Sequence, residues 1–153
     1  MEKTNEPRKK TPPLNGLVET ALFVDDLAQG IAFYEQVLGL EKIKESNTGC
    51  VFRVAAQRYF LLVLRDAAQT PNKTTNGTVL PPCALPEQSG RGPGHVAFGV
   101  SSDAFDSWRT RLTKHGIEVL SEVTWEHGAR SLYFRDPDRH LIELATAGIW
   151  EAA

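Results

Sequence analysis

Disulfide-forming cysteine pairs, long apolar runs and a charge excess are all missing from this chain of 153 residues. The only two cysteines, Cys50 and Cys83, stand alone, so they form neither a disulfide framework nor a CxxC metal site. No apolar run approaches the roughly 20 residues that a membrane helix needs. With 17 Lys and Arg against 19 Asp and Glu, the chain also lacks the basic excess that is typical of nucleic-acid binding.

Signal and catalytic signatures are absent as well. The polar start MEKTNEPRKKTPP is not followed by the apolar segment of a secretory signal, so we expect a cytoplasmic protein with reduced thiols. The chain has no GxSxG, HExxH, phosphate-loop or dinucleotide fingerprint. Residues 1–16 are polar and carry no periodic apolar pattern, which predicts a disordered tail.

Residues 17–148 are predicted to form one α+β domain from a duplicated unit. In each copy an apolar strand precedes an amphipathic helix, the helix ends at a glycine, and three strands follow. The two glycines, Gly39 and Gly116, lie 77 residues apart. A unit of about 50 residues cannot bury its own sheet face, so we expect two βαβββ modules packed together. The predicted strands cover residues 17–24, 40–44, 51–55, 59–64, 94–100, 117–123, 131–135 and 141–145.

The modules span residues 17–65 and 94–148, and a linker of residues 66–93 joins them. The linker contains five of the nine prolines of the chain. A connection of this length inside a compact domain is usually a functional loop or disorder. Two interpretations remain open at this point, a lid or pocket rim and a plain linker.

Three polar residues interrupt apolar strands. Glu19 lies in the first strand of module 1, and the 76-residue offset of the repeat places His95 at the same position of module 2. Glu143 shares a face with Leu141 and Ala145 because strand side chains alternate. Module 1 has Leu61 or Leu62 where module 2 has Glu143, so the chain can build one such site rather than a symmetric pair.

A carboxylate, an imidazole and a second carboxylate suit a divalent metal and leave open positions for substrate. The alternative is structural. Glu19 would then lie at a solvated strand edge, His95 would be hydrogen-bonded in the core, and Glu143 would pair with an arginine.

The sequence resembles the vicinal oxygen chelate superfamily of glyoxalases, bleomycin resistance proteins and extradiol dioxygenases. The segment LFVDDLAQGIAFYEQVLGL at residues 22–40 is similar to the signature of the family's first module. The segments GPGHVAF at residues 92–98, SLYFRDPD at 131–138 and LIEL at 141–144 are similar to that of the second module. The likeness covers about residues 17–147.

The resemblance implies a cupped mixed sheet around a metal. The family's ligand positions fall on Glu19, His95 and Glu143, and we also name Glu143 as the candidate catalytic residue. The fourth ligand position of many members is Leu61, Leu62 or Val63 here, so the four-ligand glyoxalase I pattern is incomplete. One histidine with two carboxylates favours Zn, Ni, Mn, Co or Mg over Fe(II), whose oxygenases use two histidines.

Three functions follow from the resemblance. The first is a metal-dependent lyase or isomerase acting on a small substrate that chelates the metal through vicinal oxygens. The second is a dioxygenase of the same fold. The third is a metal-free protein that sequesters a drug. Neither nucleic acid nor membrane is expected as a partner. The candidate substrate-binding residues are Phe52, Arg53, Tyr59, Arg130 and Tyr133.

Three further histidines and one arginine lie outside the motifs. His115, His127 and His140 are expected at the surface. Arg139 stands where the family turn carries glycine, which indicates that this turn does not need a glycine-only conformation. Trp108 falls at core spacing on the second helix, whereas the sequence leaves Trp125 and Trp150 open as packing, pocket-wall or dimer-contact residues.

A homodimer is also expected. A two-module chain exposes sheet edges that natural proteins cover, and closed two-fold dimers are the commonest soluble assembly. Short members of the resembled superfamily often complete their cups by dimerisation. Whether Glu19 meets His95 and Glu143 within one chain or between two chains stays open.

Overall fold

The computed structural model describes residues 12, 14–65, 72–73, 79–80 and 90–151. Most of the predicted tail, most of the predicted linker and Cys83 lie outside this part of the chain. In the linker the backbone of Asn72–Lys73 (β5) pairs with that of Val79–Leu80 (β6) in a two-stranded antiparallel sheet. None of the described helices is long and apolar enough to cross a membrane.

Module 1 is a strand, a helix and three further strands. The elements are β1 (Glu19–Val24), α1 (Leu27–Gln36), β2 (Glu41–Glu45), β3 (Gly49–Ala55) and β4 (Arg58–Leu64). They form a mixed sheet in the order β1-β4-β3-β2, in which β1 runs parallel to β4. The α1 helix begins after Asp26, whose side chain caps it by accepting the Gln29 N–H at 2.9 Å.

Module 2 repeats this plan. Its elements are β7 (His95–Gly99), α2 (Phe105–Lys114), β8 (Ser121–Thr124), β9 (Arg130–Arg135) and β10 (Leu141–Ala145), in the sheet order β7-β10-β9-β8. Gly39 and Gly116 both have φ +68° just beyond the helices, a backbone conformation that favours glycine. The duplicated βαβββ fold is therefore confirmed, although β8 is shorter than predicted.

The strand registers show which positions of the two modules are equivalent. Glu19 begins β1 opposite Tyr59, and His95 begins β7 opposite Leu141. Two residues further along, Ala21 faces Leu61 and Ala97 faces Glu143. Leu61, rather than Leu62, is thus the module 1 counterpart of Glu143.

One apolar core joins the modules. Alternate strand residues of both sheets, together with α1 and α2, enter a single buried cluster. Across the module boundary, the Phe60 and Phe98 rings meet edge to face at 5.5 Å, and Phe33 lies 6.4 Å from Phe134. Since side chains alternate along a strand, the remaining residues of each strand lie on the opposite face.

Two buried polar contacts also cross the module boundary. The Tyr34 hydroxyl donates to Asp136 Oδ2 at 2.7 Å. The His140 ring accepts the Gly94 N–H at Nδ1 and, through Nε2–H, donates to the Phe23 carbonyl, both at 2.7 Å. His140 is only 1% exposed, so the predicted surface position was wrong: its ring connects β1 to the start of β7.

The turn before β10 differs from expectation as well. Arg139 has φ +67°, so the position keeps the left-handed backbone although it is not glycine. The Arg139 N–H donates to the Asp136 carbonyl at 3.0 Å, and Asp136 Oδ1 accepts the His140 N–H at 2.8 Å. These bonds hold the turn despite the strained residue.

Tyr34→Phe tests the contact between the modules. Burial, and then the neighbouring Asp136, raises the pKa of Tyr34 far above its ordinary value of 10.0. The unfolded chain releases this proton near pH 10 and the folded chain keeps it, so this part of the stability is present below pH 10 and is lost above it. We expect Tyr34→Phe to lower the unfolding free energy by about 1–3 kcal/mol at pH 7.

The difference between wild type and Tyr34→Phe should shrink as the pH rises above 10. Urea unfolding of both proteins from pH 7 to 11 measures it. A difference that stays constant over this range would contradict the buried, protonated phenol.

Candidate metal centre

His95 and Glu143 form the centre of the candidate site. His95 opens β7, and its Nδ1 lies 2.9 Å from the Leu141 carbonyl. A carbonyl only accepts hydrogen bonds, so Nδ1 carries the proton and the neutral ring has its lone pair on Nε2. That Nε2 lies 3.2 Å from Glu143 Oε2, and the His95 side chain is 48% exposed.

The Glu143 carboxylate is buried and asymmetrically bound. Its side chain is only 6% exposed. Ser131 Oγ donates to Oε1 at 2.6 Å, and the Tyr133 hydroxyl donates to the same oxygen at 2.9 Å. Burial of a carboxylate is costly without such partners. Both bonds fall on Oε1, so Oε2 remains directed to His95.

The facing atoms suit a shared cation. Two electron pairs 3.2 Å apart repel each other unless a proton or a metal ion lies between them. Ligands about 2.1 Å from one ion are separated by about 3.0 Å in octahedral and 3.4 Å in tetrahedral geometry, a range that includes the observed separation. The carbonyl that holds His95 Nδ1 is the usual outer partner of a metal-binding histidine. These two residues therefore fit a divalent metal.

Tyr133 is the predicted substrate-binding residue that lies beside this pair. Its ring stacks on His95 with centroids 6.5 Å apart. Burial, and then the hydrogen bond to Glu143, raises the pKa of Tyr133 above its ordinary value of 10.0. The hydroxyl therefore stays protonated and remains a hydrogen-bond donor at neutral pH.

Glu19 is not brought to this pair within one chain. It is exposed at the start of β1. No group of three His, Cys, Asp or Glu side chains in the described ranges is arranged to hold a metal. Glu19 instead shares a row of the module 1 sheet (sheet 1) with Tyr59 and Arg53. Arg53 forms an ion pair with Glu41 at 2.9 Å. These three predicted residues form a separate group on sheet 1.

Two predicted substrate-binding residues, Phe52 and Arg130, lie on the core face of their sheets and not on the face that carries Glu143. Phe52 is fully buried and packs against Tyr34 and Phe60. The registers show that its counterpart in module 2 is the buried Phe134 and not Tyr133. A shift of one residue reverses the face of a strand, so Phe52 and Tyr133 lie on opposite faces of their sheets.

The Arg130 side chain forms ion pairs on the α2 side of the module 2 sheet (sheet 2). Its guanidinium lies 4.0 Å from the centre of the Phe105 ring and pairs with Glu122 at 2.6 Å. It also approaches Asp106 at 3.3 Å. Arg130 lies on the same face of β9 as the buried Leu132 and Phe134, because side chains two residues apart share a face, so it points away from the face of Glu143.

Ser131 contacts the candidate ligand Glu143 but was missed, and Trp125, which the sequence left open as a packing, pocket-wall or dimer-contact residue, lies next to Ser131. Ser131 lies two residues before Tyr133 on the same strand, so alternation alone places it on the Glu143 face. That signal was available in the sequence. Trp125 donates its indole N–H to Ser131 Oγ at 2.8 Å, and no periodic pattern indicates this contact.

The chain thus combines two βαβββ modules with a histidine and a carboxylate on the neighbouring strands β7 and β10. The family model of the Glyoxalase/Bleomycin resistance protein/Dioxygenase superfamily matches residues 16–144. The chain belongs to this superfamily, as the resemblance predicted.

Individual relatives point to resistance enzymes and lyases. The fosfomycin resistance protein FosX of Listeria innocua is 26% identical over 137 residues, which cover 86% of this chain and 89% of that protein. The glutathione transferase FosA of Serratia marcescens is 29% identical, over 86% of this chain and 80% of its own length. A lactoylglutathione lyase structure from Agrobacterium tumefaciens superimposes with a TM-score of 0.76 at 27% identity, over 89% of this chain and 96% of that one.

Phe52→Ala separates a core role from a binding role. Since the ring is fully buried, we expect a loss of about 3–5 kcal/mol of unfolding free energy. Tyr133→Phe is the matched control, because it keeps the ring and removes a half-buried hydroxyl. Thermal unfolding of both variants measures the effect. A Phe52→Ala protein as stable as Tyr133→Phe would contradict the core role and support a binding role of Phe52.

Proposed function

We propose that the protein is a metal-dependent enzyme of the lyase or isomerase type that acts on a small substrate with two vicinal oxygens. The observation that carries this proposal is the pair of His95 Nε2 and Glu143 Oε2 at 3.2 Å, each held in place through its other polar atom. Relatives named as transferases and the structural likeness to a lactoylglutathione lyase support an enzyme of this superfamily.

His95 and Glu143 would hold the metal together with Glu19 of a second copy. Two carboxylates and one imidazole form a hard, anionic donor set, which favours Mn, Mg, Co, Ni or Zn over Fe(II). When bound, such a metal acts as a Lewis acid that polarises a substrate oxygen.

The chain's own residues supply orientation and hydrogen bonding. The Leu141 carbonyl fixes the His95 ring, and the donors on Oε1 fix Glu143. Tyr133 donates its hydroxyl proton to the carboxylate and stacks on His95, where its hydroxyl oxygen can still accept a hydrogen bond from a substrate hydroxyl. Tyr59 and Arg53 would enter the site with Glu19 because they share its row on sheet 1.

Fosfomycin modification is the second candidate, and the names of the relatives favour it. Mass spectrometry of fosfomycin incubated with protein and Mn(II), with and without glutathione, tests it directly. A mass change of the drug supports this candidate over the lyase or isomerase. Oxygen consumption with a catechol would instead support a dioxygenase, and drug binding without any bound metal would support sequestration.

His95→Ala should lose metal without unfolding, because the side chain is half exposed and contributes little to the core. Metal content after purification and Mn(II) titration of the dialysed protein measure the loss, and circular dichroism checks the fold. His115→Ala is the matched control, since His115 is exposed beyond α2. Unchanged metal binding in His95→Ala would exclude His95 as a ligand.

We further propose a homodimer in which Glu19 of one copy completes the site of the other. The separation of Glu19 from His95 and Glu143 within the described chain supports this arrangement. Light scattering should give about twice the chain mass of 16.9 kDa, and a mass near 17 kDa contradicts the dimer.

Mixed dimers of Glu19→Ala and His95→Ala chains test the sharing of ligands. Two mutated ligands would fall in one site, and the other site would be intact, so we expect one metal per mixed dimer. The two unmixed variants are the controls and should bind little metal. If mixing restores no binding, each site is built from one chain.

A further inference from the structure

A chain of hydrogen bonds leads from an indole ring to the candidate metal ligand. Trp125 Nε1 lies 2.8 Å from Ser131 Oγ, and Ser131 Oγ lies 2.6 Å from Glu143 Oε1. Ser131 is fully buried and Glu143 is 4% exposed. The proposed function already uses Ser131 as a donor to this carboxylate, whereas it gives Trp125 no role.

The direction of these bonds follows from the chemistry of the groups. An indole N–H can only donate, so Ser131 Oγ is its acceptor. The single hydroxyl proton of Ser131 is then free to point to Glu143, whose oxygen accepts it. With the Tyr133 hydroxyl as second donor at 2.9 Å, Oε1 receives two hydrogen bonds and Oε2 receives none of them.

We propose that Trp125 and Ser131 are positioning residues that hold Glu143 so that it offers one oxygen, Oε2, to a metal. This inference rests on the proposed function, since it concerns the ligand of that same site. A carboxylate with both oxygens free could turn and bind a metal through two atoms. Two donors on Oε1 oppose that rotation, and hydrogen bonds to a charged acceptor are the stronger ones.

Trp125 is itself held in place, so that it can act as an anchor. The backbone N–H of Trp125 donates to the Ala129 carbonyl at 2.7 Å, which closes the turn before β9. On its other side the ring packs against Trp150, with centroids 6.3 Å apart. The hydrogen-bonded chain Trp125–Ser131–Glu143, called the relay below, thus connects the turn before β9 and the segment after β10 with Glu143.

Four variants separate the relay from general packing. Ser131→Ala removes the donor to Glu143, Trp125→Phe keeps a ring but removes the N–H, and a double variant combines them. Trp150→Phe is the control, because it keeps the aromatic contact and has no bond in the relay. Mn(II) titration, followed by the electron paramagnetic resonance signal of free Mn(II), measures affinity.

We expect Ser131→Ala to weaken Mn(II) binding about 10–100-fold, as is usual for outer partners of metal ligands. Trp125→Phe should weaken it less, and the double variant should bind as Ser131→Ala does, because both residues act through one path. Trp150→Phe should bind like wild type. Losses that multiply in the double variant, or wild-type affinity in Ser131→Ala, would overturn the proposal.

A readout without metal distinguishes failure of the relay from failure of the proposed function. The protein has three tryptophans, so its NMR spectrum should show three indole N–H signals. In metal-free protein Glu143→Gln should shift the Trp125 signal more than those of Trp108 and Trp150. An unshifted Trp125 signal contradicts the relay. If the Trp125 signal shifts in Glu143→Gln but the wild-type protein binds no Mn(II), the relay is supported and the proposed function is contradicted.

Discussion

The register of β10 between its two neighbours is the constraint on which the candidate site depends. In one row of the sheet Ala97, Glu143 and Tyr133 lie side by side, and two residues away, in the next row on the same face, His95 lies beside Leu141. A slip of one residue would turn Glu143 into the core, where a carboxylate has no partner. The apolar residues that alternate with Glu143, Ile142 and Leu144, oppose that slip because both are buried.

The two modules use the same register for different purposes. In module 1 the position of Glu143 is taken by Leu61 and that of Tyr133 by Val51. Sheet 1 therefore presents an apolar surface beside Glu19, where sheet 2 presents a buried carboxylate with two donors. The duplication kept the backbone and the first-strand position, but polar chemistry was concentrated in the second copy.

The repeat made much of the fold and part of the site predictable. Two helices stopped by glycines, with strands at a constant offset, lead to paired βαβββ modules, and Glu143 stands out because a carboxylate in an apolar strand needs a reason. Phe52 was assigned to the site because adjacent strand residues look alike in sequence, whereas only the register distinguishes the two faces.

Other features depend on contacts between distant segments, which sequence periodicity does not contain. His140 lies in a polar turn and looks exposed until Gly94 and Phe23 close around it. Trp125 belongs to a short turn with no period, so its bond to Ser131 could not be inferred. Arg139 shows that a left-handed turn can persist without glycine when neighbouring hydrogen bonds stabilise it.

The turn before β10 links the joining of the modules to the geometry of the site. Asp136 receives the Tyr34 hydroxyl from module 1, and His140 ties the Phe23 carbonyl to Gly94, the residue before His95. Glu143 lies on β10, three residues after His140. The contacts that dock module 1 against module 2 therefore also set where β7 and β10 begin, and with them the separation of His95 from Glu143. The two candidate ligands, His95 and Glu143, are thus held in place within one chain.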